Sequence, residues 1–160
     1  MTQATPNLDQ FDLAFKNNDQ LTDVSVAAGM ICGLALLPNT LTPSEWFDLL
    51  WCGDEPTVAD SDSLGHALTL AVQVGDWARE SNGQQIFDLS QRYSTQLFFM
   101  GLASALNWGK SLWSEHNIED DSDEDHLIGA LMLVCVTLAW PNAERPTDAR
   151  LPSLETARAQ

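Results

Sequence analysis

Apolar residues recur along this chain at intervals of three and four positions, the spacing of one face of an α-helix. No stretch alternates apolar and polar residues for long enough to predict a β-strand. We therefore expect an all-α protein, a single-domain bundle of about six helices formed by residues 1–140. The predicted helices span residues 7–17, 21–37, 42–53, 61–80, 88–113, and a last stretch that begins within 121–125 and ends at Trp140.

The second predicted helix contains two glycines, Gly29 and Gly33, one helical turn apart. A glycine inside a helix costs about 1 kcal/mol relative to alanine. Close approach of another helix would compensate for that cost. We therefore expect a neighbouring helix to pack against this pair.

The stretch LTPSEWFDLLWCG, residues 41–53, carries a strong helix start. Thr42 is placed as the N-cap, Pro43 suits the first helical position, and Glu45 completes a capping box with Thr42. Gly53 suits the residue that ends such a helix. Trp46 and the aromatic residues after it cover so much of the helix circumference that we expect a wedge between neighbouring helices. The pattern leaves open one exposed aromatic side chain at its edge.

The longest predicted helix, residues 88–113, is apolar on nearly all sides and is expected to be central. The apolar run Leu127–Trp140 is too short to cross a bilayer and is typical of a buried core helix. Residues 141–160 contain three prolines and few apolar side chains, so they predict a mobile tail.

Charge sets this composition apart, because 23 acidic residues stand against seven lysines and arginines, a formal net charge of −16. Nucleic acids and anionic membranes are bound through lysine and arginine. The composition therefore disfavours direct nucleic-acid binding and membrane association. It fits a basic protein partner, and it equally fits solubility alone.

The three cysteines, Cys32, Cys52 and Cys135, form no C-x-x-C pair, and each lies in an apolar segment. This arrangement favours buried, reduced thiols and a cytoplasmic location. The first twelve residues have neither a basic region nor an apolar core, so a secretory signal is not expected.

An acidic run precedes the last predicted helix and is the candidate partner-facing loop. Carboxylates at a helix start complement its dipole, but three or four saturate that benefit. The excess indicates a surface for a basic partner. The candidate residues are Glu119, Asp120, Asp121, Asp123, Glu124 and Asp125.

The same run does not match a known metal site. In a calcium loop that starts at Asp121, the required glycine is replaced by His126 and the required glutamate by Met132. The chain also contains no G-x-S-x-G elbow and no glycine-rich phosphate loop. We therefore assign no catalytic residue, no cofactor and no metal, and we expect a non-enzymatic protein.

Three stretches in this order resemble the YecA/YgfB-like family of uncharacterised bacterial proteins: AAGMICGLAL (27–36), LTPSEWFDLLWCG (41–53) and FFMGLASALNWGKSLW (98–113). The acidic run that leads into ALMLVCVTLAW also resembles the YgfB branch. The resemblance implies an all-helical single domain and no established enzymatic activity. Longer YecA-type proteins end in a cysteine-rich zinc-binding tail, whereas this chain has no cysteine after Cys135, so zinc binding is not implied.

These observations lead to three functional hypotheses. The first is an acidic helical protein that acts by protein–protein interaction. The second is a nucleic-acid mimic that occupies the binding site of a basic nucleic-acid-binding regulator. The third, and weakest, is a metal-dependent hydrolase that uses the carboxylates of residues 114–127. Apolar surface left over after the helices pack would allow a homodimer.

Overall fold

The computed structural model describes residues 4–38, 41–51, 61–115 and 123–139. Regular structure in these ranges is helical, which confirms the all-α bundle, although the described residues form eight α-helices where six were predicted for the chain. The helices are α1 (Leu8–Lys16), α2 (Val24–Ala35), α3 (Pro43–Trp46), α4 (Ser61–Glu80), α5 (Gly83–Ser90), α6 (Thr95–Trp108), α7 (Lys110–Glu115) and α8 (Asp123–Ala139), with a 3-10 helix at Phe47–Leu50. The predicted tail, residues 141–160, lies outside the described residues.

The helices pack in the spatial order α1, α4, α2, α6, α8, so that α2 and α6 occupy the centre. The buried side chains form one contiguous cluster to which all five helices contribute. Phe11 of α1, Ile31 of α2 and Phe98 of α6 are almost completely buried in it. The helices are therefore stabilised mainly by packing their apolar faces into this common core, and less by the helix propensities of their residues.

The two central helices run in the same direction. At one end, the backbone N–H of Ser94 donates to Ser25 Oγ at 3.3 Å. At the other end, Gly109 faces the side chain of Leu37. A parallel pair requires a long connection, and the segment from α3 to α5 provides it.

Glycines permit the closest contact between α2 and α6. A Cβ atom on Gly29 would overlap the carbonyl oxygen of Phe98, and one on Gly101 would overlap that of Val26. A Cβ on Gly33 would lie 2.8 Å from both the Ala105 Cβ and the Leu102 carbonyl oxygen. The predicted close approach at Gly29 and Gly33 is confirmed, with α6 as the neighbour.

The aromatic stretch 41–51 packs against the core, as expected of a wedge. Glu45 Oε2 accepts hydrogen bonds from the Thr42 backbone N–H at 2.6 Å and from Thr42 Oγ1 at 2.9 Å. Trp46 is buried and Phe47 meets it edge-on, with ring centroids 5.1 Å apart. Neither Phe47 nor Trp51 is exposed.

The predicted helix 42–53 is α-helical for one turn only, and its helical structure ends at Leu50. The chain tightens into the 3-10 helix after Trp46, and Trp51 is extended and pairs with Leu21 through an isolated antiparallel bridge. The Thr22 N–H donates to the Leu50 carbonyl at 2.8 Å, which ties this segment to the start of α2. Gly53 lies outside the described residues.

The predicted helix 88–113 is divided into the end of α5, then α6 and α7. Residues 91–94 form the first break, after which Ser94 caps α6. Gly109 forms the second break. The expectation of a central helix is confirmed for α6 alone.

Candidate interaction surface

Of the predicted acidic loop, the described residues include only its last three members. Asp123, Glu124 and Asp125 lie in the first turn of α8, and Asp123 is exposed. Glu119, Asp120 and Asp121 lie outside the described residues. The described chain therefore places one predicted carboxylate in solvent at the start of a helix.

The remainder of α8 differs from the buried core helix that its apolar run predicts. One face packs inward, with Met132, Cys135 and Ala139 buried. Beside it, Leu131, Val134 and Leu138 are 38%, 52% and 38% exposed. We call these three residues the exposed stripe of α8. The expectation of full burial is wrong because α8 lies at the end of the helix order, where its principal contact is with α6.

The exposed stripe is narrow and straight. Its members are three and four positions apart, which at about 100° per residue confines them to a sector of roughly 60° and a length of roughly 10 Å. Asp123 precedes Val134 by eleven residues, about three turns. Asp123 therefore lies on the same side of α8 as the stripe, near its amino-terminal end.

Other exposed apolar side chains are distributed over separate parts of the fold. Leu13 is on α1, Leu36 is the C-cap of α2, Phe87 is on α5 and Trp108 is the last residue of α6. Single exposed apolar residues are ordinary on protein surfaces. Three exposed apolar residues on the same side of one helix are less common. We therefore take α8 as the candidate interaction surface.

Cations are few in the described ranges. Lys16, Arg79, Arg92 and Lys110 are the four basic residues there, and Arg92 is already paired with Asp9 and Asp12. Exposed carboxylates are more numerous: Asp9, Asp19, Asp23, Glu45, Asp48, Asp62, Asp76, Glu80, Asp88 and Asp123. The described surface is thus predominantly anionic, as the composition predicts.

The two described thiols are unsuited to nucleophilic chemistry. Cys32 and Cys135 are fully buried, and this burial raises the pKa of each to about 12. At neutral pH both therefore stay protonated, whereas the thiolate is the reactive form. The prediction of buried thiols is confirmed for these two, and Cys52 lies outside the described residues.

No group of three His, Cys, Asp or Glu side chains among the described residues is arranged to hold a metal ion. None of the described helices combines the length and the apolarity needed to cross a membrane. Residues 116–122, which contain part of the carboxylate run proposed for a metal-dependent hydrolase, lie outside the described ranges.

The exposed stripe could not be found from the sequence, because apolar residues occupy nearly every position of α8 after His126. After His126 its residues are LIGALMLVCVTLA, in which Thr137 is the one polar side chain. Both Leu131/Val134/Leu138 and Met132/Cys135/Ala139 follow helical spacing equally well. The periodicity therefore cannot show which of the two sets faces the core.

No protein-family model matches the chain, and no curated protein and no solved structure is similar to it. The resemblance to YecA/YgfB-like proteins therefore stays a prediction from three sequence stretches.

Proposed function

We propose that this chain is a non-enzymatic helical domain that binds a partner protein through α8. The observation that carries the proposal is the exposed stripe of α8, Leu131, Val134 and Leu138, with the exposed carboxylate of Asp123 on the same side of the helix. Covering these aligned apolar side chains with a partner removes them from water, which lowers the free energy of the complex. The rest of the described chain serves as a rigid support for that face.

Charge favours a basic partner. A formal net charge of −16 attracts a cationic surface over a distance of about one Debye length and repels polyanions. Burial of the stripe would supply affinity, while Asp123 and the general anionic field would supply orientation and a faster encounter. Binding should therefore weaken as salt rises without disappearing.

A nucleic-acid mimic is a narrower form of the same proposal, supported by the excess of 23 acidic over seven basic residues. In that case the basic partner is itself a nucleic-acid-binding protein, and DNA or RNA competes with this chain for it. Loss of the complex on addition of nucleic acid would select the mimic, and indifference would select the general interaction domain. The buried thiols are consistent with a cytoplasmic location for either form.

The test is affinity capture from cells with the tagged full chain, compared with a Val134→Asp variant. The matched control is Phe87→Asp, because Phe87 on α5 and Val134 on α8 are both 52% exposed. A charge placed in the stripe would oppose its burial, so we expect proteins captured by the wild type and by the control to be lost from Val134→Asp.

Each capture is repeated at low and high salt. A partner set that is the same for all three proteins and insensitive to salt would overturn the proposal. Circular dichroism spectra and melting curves must first show that Val134→Asp folds as the wild type does.

A further inference from the structure

The spacing of the exposed stripe specifies the shape of its partner. Leu131, Val134 and Leu138 stand at intervals of three and then four, which is the a–d–a spacing of a heptad seam. This spacing fits one helix lying nearly parallel or antiparallel to α8.

The side chains beside the stripe also permit close approach. Ala130 and Thr137 are exposed on its solvent side, and both are small. On the other side, Met132 and Cys135 belong to the core cluster, and Ala139 is fully buried. Among the described side chains of α8, no long polar one therefore stands between a partner helix and the three stripe residues.

Charge on α8 is confined to one end. All its acidic residues, and its single histidine, lie in Asp123–His126, and the helix contains no lysine or arginine. A partner helix that covers the stripe and extends toward Asp123 meets negative charge only at that end. Complementarity then requires cations at one end of the partner helix and an uncharged apolar seam along the rest.

A second copy of this chain does not meet that requirement. Its own α8 has no cation to offer Asp123, and two copies paired in parallel would bring their acidic first turns together. Each copy also carries a net charge of −16, so that association is opposed at long range.

We propose, resting on the function proposed above, that the exposed stripe of α8 binds a single amphipathic helix of the partner protein. That helix carries apolar residues at heptad spacing and lysines or arginines clustered at the end that lies over Asp123. The interaction is a two-helix seam added to the outer side of α8.

The experiment uses the full chain and synthetic helical peptides of about 21 residues, three heptads. The first peptide has leucines at the a and d positions, uncharged polar residues elsewhere and a lysine cluster at one end. The second replaces the lysines by glutamates. The third keeps the composition of the first but permutes the order, which removes the heptad spacing while preserving charge.

Binding is measured by fluorescence anisotropy of the labelled peptide. We expect the lysine peptide to bind the wild type at least about tenfold more tightly than either other peptide, and to lose at least about tenfold in affinity for Val134→Asp. Asp123→Asn should weaken binding a few-fold and reduce its salt dependence. Asp123→Lys should narrow the preference for the lysine peptide over the glutamate peptide more than Asp123→Asn does.

Equal binding of the permuted peptide, or equal binding by Val134→Asp, would overturn the helix proposal. So would a wild-type dimer in sedimentation that dissociates in Val134→Asp, since a second copy would then occupy the stripe. If Val134→Asp unfolds, Leu138→Gln takes its place with the same expectations. Partner capture that depends on Val134 without peptide binding would reject the helix and leave the interaction domain standing.

Discussion

At the scale of single residues, the glycines between α2 and α6 show that the absence of a Cβ atom can set the distance between two helices. Gly29 and Gly101 each face a backbone carbonyl of the opposite helix, and backbone cannot move aside as a flexible side chain can. The conformational cost of these glycines is offset by contact between two helices along most of their length. The prediction from sequence succeeded here because paired glycines in an apolar helix have few other uses.

Gly29→Ala should lower the free energy of unfolding by about 3 kcal/mol, because the added methyl group forces α2 and α6 apart. The control is Gly65→Ala in α4, where no atom lies within 4 Å of the added Cβ. That change should raise stability by about 0.5–1 kcal/mol through helix propensity. Urea denaturation of both variants measures the difference, and equal stabilities would contradict the assigned contact.

The buried thiols make stability depend on alkaline pH. Burial raises the pKa of Cys32 and Cys135 from 9.0 to about 12, so above pH 9 the unfolded chain loses protons that the folded chain keeps. The stabilisation is complete below pH 9 and is lost as the pH rises toward 12. Burial and the hydrogen bond to Asp12 also raise the pKa of Tyr93, with the same sign.

We expect the free energy of unfolding to fall between pH 9 and pH 11, less steeply in the variant Cys32→Ala/Cys135→Ala than in the wild type. The slope, and not the absolute stability, is the readout, since the alanines also leave cavities. Chemical denaturation at a series of pH values measures it. Identical slopes would show that these thiols titrate alike in both states.

At the scale of elements, α1 illustrates how a short helix is held by a contact distant in sequence. Phe11 and Phe15 are buried on one side, with ring centroids 4.6 Å apart. On the other, Arg92 Nε donates to Asp12 at 3.0 Å and the Tyr93 hydroxyl donates to the same carboxylate at 2.6 Å. Arg92 also pairs with Asp9, and that hydrogen bond is the main cause that raises its pKa.

The polar contact of α1 should depend on Asp12 much more than on Asp9, whose side chain is 91% exposed against 17% for Asp12. Asp12→Asn should cost about 1–3 kcal/mol and speed amide hydrogen exchange in α1. Asp9→Asn should cost less than about 0.5 kcal/mol, as exposed ion pairs do. The two variants are compared by urea denaturation and exchange mass spectrometry, and similar effects would refute this ranking.

The boundaries of α5 and α6 show that one sequence pattern can indicate two kinds of local structure. The dipeptide Asn82-Gly83 is typical of a turn. In the structure Asn82 is instead the N-cap of α5, and it exchanges hydrogen bonds of 2.9 Å with Gln85 in both directions. An asparagine followed three residues later by glutamine is itself a capping signal and could have revealed α5. The break at residues 91–94 carries a weaker signal, because the N-cap Ser94 is followed three residues later by Leu97 and not by a glutamate or glutamine.

At the scale of the whole molecule, the excess of negative charge acts on stability as well as on recognition. Exposed carboxylates are spread over α1, α4, α5 and α8 and the segments between, with few cations to offset them. Their mutual repulsion favours expansion of the chain and is screened by salt. The solubility that this charge brings therefore has a cost in stability at low ionic strength.

We expect the melting temperature to rise by a few degrees between about 20 mM and about 500 mM sodium chloride. Chloride is chosen because sulfate stabilises folded proteins by exclusion from their surface, independently of charge. Differential scanning calorimetry at constant pH provides the measurement. A melting temperature that falls with salt would mean that the ion pairs of Arg92 outweigh the general repulsion.

Features that depend on local spacing and composition could be read from the amino-acid sequence. They include the helical periodicity, the helix start at Thr42, the glycine pair Gly29/Gly33 and the excess of acidic residues. Each is a property of nearby positions or of the overall composition. The folded chain set the features that depend on which elements meet. It made α2 and α6 parallel, divided residues 88–113, and left one side of α8 uncovered, because contacts between segments distant in sequence choose which of two equivalent apolar faces is buried.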